Sequence, residues 1–165
     1  MHQPLLRVPS ADPGARTGGI APCGPPVSVA LRFTACPNRI RDALHRTRHH
    51  LAMHGLCNDR LGTVELVLAE ALNNIAEHAY DGQANGPVWL KAHSDHDRLR
   101  VVLRDRGRAM PGHALPGAHL PDIDGAPETL PEGGFGWFLI RDLSDAVDYA
   151  RVGATNRLIL QFSPD

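Results

Sequence analysis

The sequence has neither a strong excess of charge nor a long apolar run. Its 17 Lys and Arg residues against 18 Asp and Glu residues give a formal net charge of −1, so charge does not indicate direct nucleic-acid binding. No apolar stretch approaches the length of a membrane span. The opening residues carry no long apolar segment before a cleavage pattern, so secretion is not indicated either. We therefore expect a cytoplasmic protein.

Cysteine is scarce as well, with three residues in the chain. Cys23, Cys36 and Cys57 match the spacing of neither a paired zinc motif nor a redox C-x-x-C pair, and we expect reduced thiols. Among the ten histidines, His45 and His49 lie four residues apart on a predicted helix. The pair lacks the glutamate of H-E-x-x-H and an evident third ligand, so a solvated helix face is favoured over a zinc site.

The residues that are present fit one globular domain. The chain has 165 residues, of which 42% are hydrophobic and 21% charged, which is enough for a single hydrophobic core. Residues 1–26 are rich in Pro, Gly, Ala and Arg without apolar periodicity, and we expect them to form a disordered tail. Residues 27–165 are then predicted to form the domain.

The most informative segment is E-A-L-N-N-I-A-E-H-A-Y at residues 70–80. At about 100° per residue, one side of a helix carries an apolar stripe, and Glu70, Asn74 and His78 form a line beside it. A position beside the core can hold a carboxylate against a partly dry pocket and can aim an amide oxygen at a metal ion. The alternative is that these are ordinary polar residues of an amphipathic helix.

A second segment, V-V-L-R-D-R-G at residues 101–107, is typical of an apolar strand that ends in Asp-x-Gly. Asp105 at the end of this strand can accept a hydrogen bond from the exocyclic amine of adenine. Gly107 would let the backbone approach the ring. The motif by itself also fits a turn that terminates a strand.

A third segment contains the glycine cluster Gly133, Gly134 and Gly136, which leads directly into a helical pattern. Glycines let a loop wrap around an anion, and the free N–H groups and dipole at a helix start favour negative charge. The segment therefore suits phosphate. The alternative is a flexible hinge before an amphipathic helix.

The three segments together resemble the N-box, the D-x-G box and the second glycine box of the GHKL ATPase superfamily, in that order along the chain. The E-x-x-x-N-x-x-x-H-A-Y pattern is most similar to that of the small bacterial branch, the anti-sigma-factor serine/threonine kinases. Trp137 stands where the glycine box usually has leucine, and Ala154-Thr155 stands where the family often has Gly-Thr. The resemblance covers about residues 27–162.

The resemblance implies a protein that binds ATP and Mg²⁺ between the N-box helix, the D-x-G turn and a lid. It makes Asn74 the ligand of the metal that bridges the phosphates. It makes Glu70 the general base that accepts the proton of a substrate serine or threonine hydroxyl. Asp105 and Gly107 would recognise adenine. The other nucleotide-binding residues that it implies are His78, Thr155 and the phosphate-loop glycines Gly133, Gly134 and Gly136.

The implied function is that of an anti-sigma regulatory factor, a serine/threonine kinase that phosphorylates an antagonist protein in a partner-switching system. A sigma factor would be a second partner, and family members commonly homodimerise, although no residue pattern of this chain specifies a dimer. One alternative is a non-catalytic module that sequesters a partner in an ATP-dependent way. The other is the catalytic domain of a histidine kinase, for which the chain lacks a preceding pair of dimerisation helices with a phosphoacceptor histidine.

The expected fold is a two-layer α/β sandwich of the GHKL type, with a mixed, mostly antiparallel sheet and helices on one face. A helix is predicted to begin at Pro37, and the N-box helix near Gly62 with Thr63 as its N-cap. Residues 111–132, rich in Pro and Gly, are interpreted as a lid. The predicted strands are residues 27–33, 88–92, 99–103, 147–152 and 157–162.

Overall fold

The computed structural model describes residues 27–83, 86–94, 98–116 and 135–163. The predicted tail, Gly133, Gly134 and most of the predicted lid lie outside these residues. The strands are β1 (Val27–Thr34), β2 (Pro87–Ser94), β3 (Leu99–Asp105), β4 (Ala146–Val152) and β5 (Thr155–Phe162), and the α-helices are α1 (Pro37–Met53), α2 (Asn58–Asn74) and α3 (Phe135–Asp142). A π-helical turn covers Ile75–Ala79, and a 3-10 turn covers Pro111–His113.

The five described strands form one sheet in the order β1-β2-β3-β5-β4. All four pairings are antiparallel, so this sheet is wholly antiparallel, where we expected a mixed, mostly antiparallel one. The reason lies in the connections. Hairpins join β2 to β3 and β4 to β5, and the two helices between β1 and β2 return the chain in the direction opposite to β1. The two-layer α/β fold itself is confirmed.

The core lies between one face of the sheet and the helices. Along β3, Leu99, Val101 and Leu103 are buried and alternate with more exposed residues, as expected for a strand with one covered face. Helix α2 buries the apolar stripe that the sequence predicted, including Val67 and Leu68. In the described part of the chain, no helix has both the length and the apolar character that crossing a membrane requires.

Helix α2 begins one turn earlier than predicted. It starts at Asn58 after the N-cap residue Cys57, and Thr63 is inside the helix, where its hydroxyl donates to the Asp59 carbonyl at 3.2 Å. Leu61 is only 3% exposed and so extends the buried stripe toward the N-terminus, whereas Gly62 is tolerated within the helix. The prediction of Thr63 as N-cap was therefore wrong, because a threonine within a helix commonly bonds back to the carbonyl four residues earlier.

The predicted N-box helix also changes type before its end. From Ile75 the chain forms a π-helical turn, in which the Tyr80 amide donates to the Ile75 carbonyl at 3.1 Å. Such turns are uncommon and are frequent at functional sites. The wider turn changes the angle at which His78 follows Asn74.

Tyr80 fastens the end of this turn to the sheet. Its hydroxyl donates to the Pro87 carbonyl at 2.8 Å and accepts from the Arg106 amide at 2.8 Å. Gly86 lies against the ring, where a Cβ would overlap it. Burial raises the pKa of Tyr80 above its ordinary value, because it disfavours the charged phenolate. One side chain thus joins the helix layer to β2 and to the turn after β3.

Removing this hydroxyl tests how much its two hydrogen bonds contribute to stability. We expect Tyr80→Phe to lower the free energy of unfolding by about 1–3 kcal/mol, because the Pro87 carbonyl and the Arg106 amide both lose a partner. Urea denaturation monitored by circular dichroism measures the change. An unchanged unfolding midpoint would mean that water replaces the hydroxyl at no cost.

Candidate functional site

A cavity of about 410 Å³ opens between the end of α2, helix α3, the residues after β3 and the sheet. This volume is in the range of small-molecule sites. Three of the residues that the sequence singled out line it, namely Asn74, His78 and Asp105. Its apolar wall includes Ile75, Met110, Trp137 and Leu158. The cavity therefore combines an apolar surface for a ring with a few polar groups.

Asp105 lies at the end of β3 and is only 4% exposed. Its Oδ1 accepts from the Gly107 amide and from Nδ2 of Asn156, both at 2.8 Å. Burial raises the pKa of Asp105 above its ordinary value, and the hydrogen bonds from Asn156 and Gly107 and the charge of Arg151 offset part of that rise. The carboxylate is therefore a fixed acceptor at the edge of a partly dry cavity.

Asn156 fixes the position of this carboxylate through a hydrogen bond. Its Oδ1 accepts from the Tyr149 hydroxyl at 2.8 Å and from Arg151 at 2.7 Å, while its Nδ2 donates to Asp105 and to the Arg108 carbonyl at 2.8 Å. With both ends of the amide in use, its orientation is fixed. Sequence reasoning missed Asn156. The available signal was its place in β5, because Asn156 lies two residues before the buried Leu158 and therefore faces the same side of the sheet.

Thr155, which the sequence analysis assigned to the nucleotide, is not among the described residues that line the cavity. It is the first residue of β5 and pairs with Val152 across the β4–β5 turn. Successive strand residues point to opposite faces, so the chain presents Asn156 to the cavity instead.

Close packing against the π-helical turn requires glycine at position 107. A Cβ at this position would overlap the Ala79 carbonyl group, 2.6 Å from its carbon atom, and the next amide, that of Arg108, donates to the same carbonyl at 2.8 Å. Gly107 is not among the described lining residues. This close packing brings the Asp105 strand against the Asn74 helix. The contact of Gly107 with adenine stays a prediction.

Glu70 and Asn74 meet the first turn of α3 at one end of the cavity. A Cβ at Gly136 would lie 2.7 Å from Oε2 of Glu70 and 3.7 Å from Nδ2 of Asn74, so a larger residue there would displace the Glu70 carboxylate. Glu70 itself lies beside the cavity and is not among the described residues that line it. The helix start and the two N-box side chains therefore form one polar corner.

Asn74 is the residue that was predicted to ligate Mg²⁺. Its Nδ2 is buried and has no hydrogen-bond partner within the described residues. Rotation of the amide exchanges its nitrogen and oxygen, so the carbonyl oxygen can occupy the same place. Mg²⁺ prefers oxygen ligands and keeps several waters, needing only one or two oxygens from the protein. The donor at this corner is compatible with Mg²⁺.

A comparison with protein families decides the class of this domain. The model of the histidine kinase-like ATPase domain matches residues 33–162, which is most of the chain. The chain belongs to the histidine kinase-like ATPase family. The family resemblance drawn from the three sequence segments is confirmed.

Two individual relatives carry the same name. The chain is 34% identical over 96 residues to the serine-protein kinase RsbW of Halalkalibacterium halodurans, covering 57% of each protein. It is 31% identical over 94 residues to the protein of the same name from Bacillus cereus, covering 56% of this chain and 58% of that protein. The matched segment thus spans little more than half the length of these relatives.

A solved structure agrees on the fold. A crystal structure of the RsbU and RsbW domains of a Mycobacterium tuberculosis protein is similar to this family member with a TM-score of 0.55 and 16% sequence identity. The similarity covers 86% of this chain and 34% of that chain. At this identity the comparison supports the histidine kinase-like ATPase fold alone.

Asp105→Asn tests the predicted contact with adenine. We expect ATP and ADP affinity to fall together by about one to two decades, because a hydrogen bond to a charged acceptor is worth about 1.5–3 kcal/mol. Titration calorimetry with ATP, ADP and GTP measures both affinity and base preference. Asp148→Asn, at an exposed position of β4, is the matched control and should leave binding unchanged. Parental affinity and base preference in the Asp105 variant would remove the assignment.

The raised pKa of Asp105 adds a pH dependence. The ionised carboxylate is the acceptor, so affinity for adenosine, which has no phosphate to titrate, should fall as pH decreases through the raised pKa. Stability changes in the opposite sense, because the folded state binds this proton more tightly than the unfolded chain. The contribution of Asp105 to stability is present at low pH and is lost as pH rises through the raised value. The Asp105→Asn variant should lack both dependences.

Proposed function

We propose that this chain is an ATP-dependent serine/threonine protein kinase that phosphorylates an antagonist protein in a partner-switching system. The observation that carries the proposal is the polar corner, where Glu70 and Asn74 meet the first turn of α3 beside a cavity that contains Asp105. The names of the relatives, which are serine-protein kinases, support the same activity.

In this proposal adenine lies in the cavity with its exocyclic amine toward Asp105. The apolar side chains Ile75, Met110 and Leu158 offer a surface for the ring. The phosphates then extend toward Asn74 and the start of α3, because the N–H groups in the first turn of a helix favour an anion. Gly133, Gly134 and Gly136 keep their predicted role as the phosphate loop, and His78, exposed at the cavity wall, is proposed as a further nucleotide contact.

The proposed transfer uses Glu70 as the base. The carboxylate accepts the proton of a substrate serine or threonine hydroxyl while the hydroxyl oxygen bonds to the γ-phosphorus and the bond to the ADP oxygen breaks. Asn74 would hold Mg²⁺ through its amide oxygen, and the ion, when bound, would offset the negative charge of the phosphates. Asp105 and its partner Asn156 fix the base end of the nucleotide, which sets where the γ-phosphate lies relative to Glu70.

A second candidate is the non-catalytic sequestering module. It is favoured by the position of Glu70, which lies against α3 and not on the described cavity wall. In that case ATP would stabilise a partner-binding conformation without being consumed.

Four further expectations from the sequence also remain predictions. They are the sigma factor as second partner, a homodimer, the cytoplasmic location and the tail at residues 1–26.

Glu70→Gln separates the two candidates. The amide keeps the size of the side chain, so ATP binding should persist, while loss of the base should slow phosphate transfer by about 10²–10⁴-fold. The assay follows label from γ-labelled ATP onto serine or threonine of small candidate antagonist proteins encoded nearby. Glu77→Gln, an exposed position in the π-helical turn, is the matched control.

Two results would contradict the kinase proposal. Transfer by the Glu70 variant at the parental rate would remove Glu70 as the base. A parent protein that phosphorylates none of the candidates, yet binds one of them in a nucleotide-dependent way, would replace the kinase with the sequestering module.

Asn74→Ala tests the metal ligand. We expect the variant to fold and to lose most of the Mg²⁺-dependent gain in ATP affinity, because the amide oxygen is the proposed protein ligand. Calorimetry with and without Mg²⁺ measures the gain. Asn73→Ala is a close control, since this neighbour is exposed and lies outside the described cavity wall. A full Mg²⁺ effect in the Asn74 variant would show that the metal is held elsewhere.

A further inference from the structure

The face of the sheet turned away from the helices is strongly basic. The strand register aligns Arg32 with Trp89, Trp89 with Arg104 and Arg104 with Arg157, so these side chains form one row across four strands. We call this surface the basic sheet face. Its cationic residues are Arg32, Lys91, Arg100, Arg104, Arg106 and Arg157.

These cations are largely without counter-charges. Among the outward-facing residues of the described strands, Asp148 is the single acidic side chain, and it lies 3.9 Å from Arg157. Arg32, Lys91 and Arg104 are exposed and make no ion pair with any residue that the structure describes. The whole chain has a formal net charge of −1, so the rest of the molecule is net acidic. The basic sheet face is thus a local concentration of positive charge that the net charge conceals.

The basic sheet face also has an apolar centre. Val102 pairs with Ile159 on neighbouring strands, and Ile159 is only 6% exposed although it lies outside the main core. Beside them the Trp89 ring lies between two guanidinium groups, with the Arg32 and Arg106 carbons 5.5 and 5.4 Å from its centroid. An apolar centre with a charged rim is the usual layout of protein interfaces, and Trp and Arg are enriched among their energetically dominant residues.

We propose that the basic sheet face is a docking surface for an acidic partner protein whose carboxylates surround a few apolar side chains. Five of the six cations are arginines, whose planar guanidinium groups bind carboxylates through paired hydrogen bonds. Because the face lies on the opposite side of the sheet from the cavity, a partner bound there leaves the nucleotide site open. The surface is independent of the proposed kinase activity.

Two other occupants fit the surface less well. Single-stranded nucleic acid is held mainly by stacking on open aromatic rings, and Trp89, the one Trp, Tyr or Phe at the outward positions of the described strands, is flanked by two guanidinium groups. A second copy of this chain packed through the same face would oppose like charges, which disfavours association.

The test uses two synthetic peptides with equal numbers of glutamates, one of glutamate alone and one with leucines between the glutamates. We expect the mixed peptide to bind the full chain at least about tenfold more tightly, because its leucines also contact Val102 and the Trp89 ring, which are partly exposed above the buried Ile159. Fluorescence anisotropy gives the affinities. Amide shifts in ¹⁵N–¹H spectra should change at Arg32, Lys91 and Arg104, and ATP affinity should be unaffected.

Charge reversal localises the effect. The variant R32E/K91E/R104E should weaken binding of the mixed peptide by about a hundredfold or more. The control is R39E/R41E/R46E, which reverses three exposed arginines of α1 and should change affinity little. If the first variant unfolds, R100Q/R104Q removes two charges from exposed positions of β3 and should still weaken binding by about tenfold.

Each of three outcomes would overturn the proposal. Equal affinity for the two peptides would mean that the face attracts any polyanion. Tighter binding of single-stranded DNA with the same charge would assign the face to nucleic acid. A dimer in sedimentation experiments that R32E/K91E/R104E dissociates would assign it to a second copy of the chain.

Discussion

The site depends on the close approach of the turn after β3 to the end of the N-box helix. Gly107 lies so near the Ala79 carbonyl that any larger residue would push the two elements apart, and the Arg108 amide bonds to the same carbonyl. Asp105 belongs to one element and Asn74 to the other. Their relative position is set by this contact and by the hydroxyl of Tyr80 that spans it.

Much of the fold was predictable because its elements are strongly periodic. The alternation of β3 and the stripe of α2 follow from which side chains are buried, and burial is the property that an apolar pattern records. Asn74, His78 and Asp105 were correctly brought together at one cavity, although their roles in binding remain predictions. Exact boundaries depend on weaker local preferences, which is why α2 begins a turn before the predicted Thr63.

Other unpredicted features depend on contacts between residues that are distant in the sequence. Asn156 bonds to Asp105, which lies 51 residues away, and its own orientation depends on Tyr149 and Arg151. The π-helical turn likewise forms where Tyr80 must reach the sheet. Composition analysis did not reveal the basic sheet face, because a net charge averages over the whole chain. A partner instead responds to the charges within about a Debye length of it.

Two polar groups of the described site lack full compensation for their burial, and this explains what a ligand would contribute. Asp105 is held in a cavity where burial disfavours its charge, and the buried Nδ2 of Asn74 has no partner among the described residues. Both conditions cost stability, because a buried polar group without a full set of partners loses its hydration. Local departures from well-satisfied packing are expected at functional sites. A nucleotide that donates to Asp105 would relieve the first, and rotation of the Asn74 amide to place its oxygen against a cation would relieve the second. Binding and local order are therefore expected to be coupled at this corner of the fold.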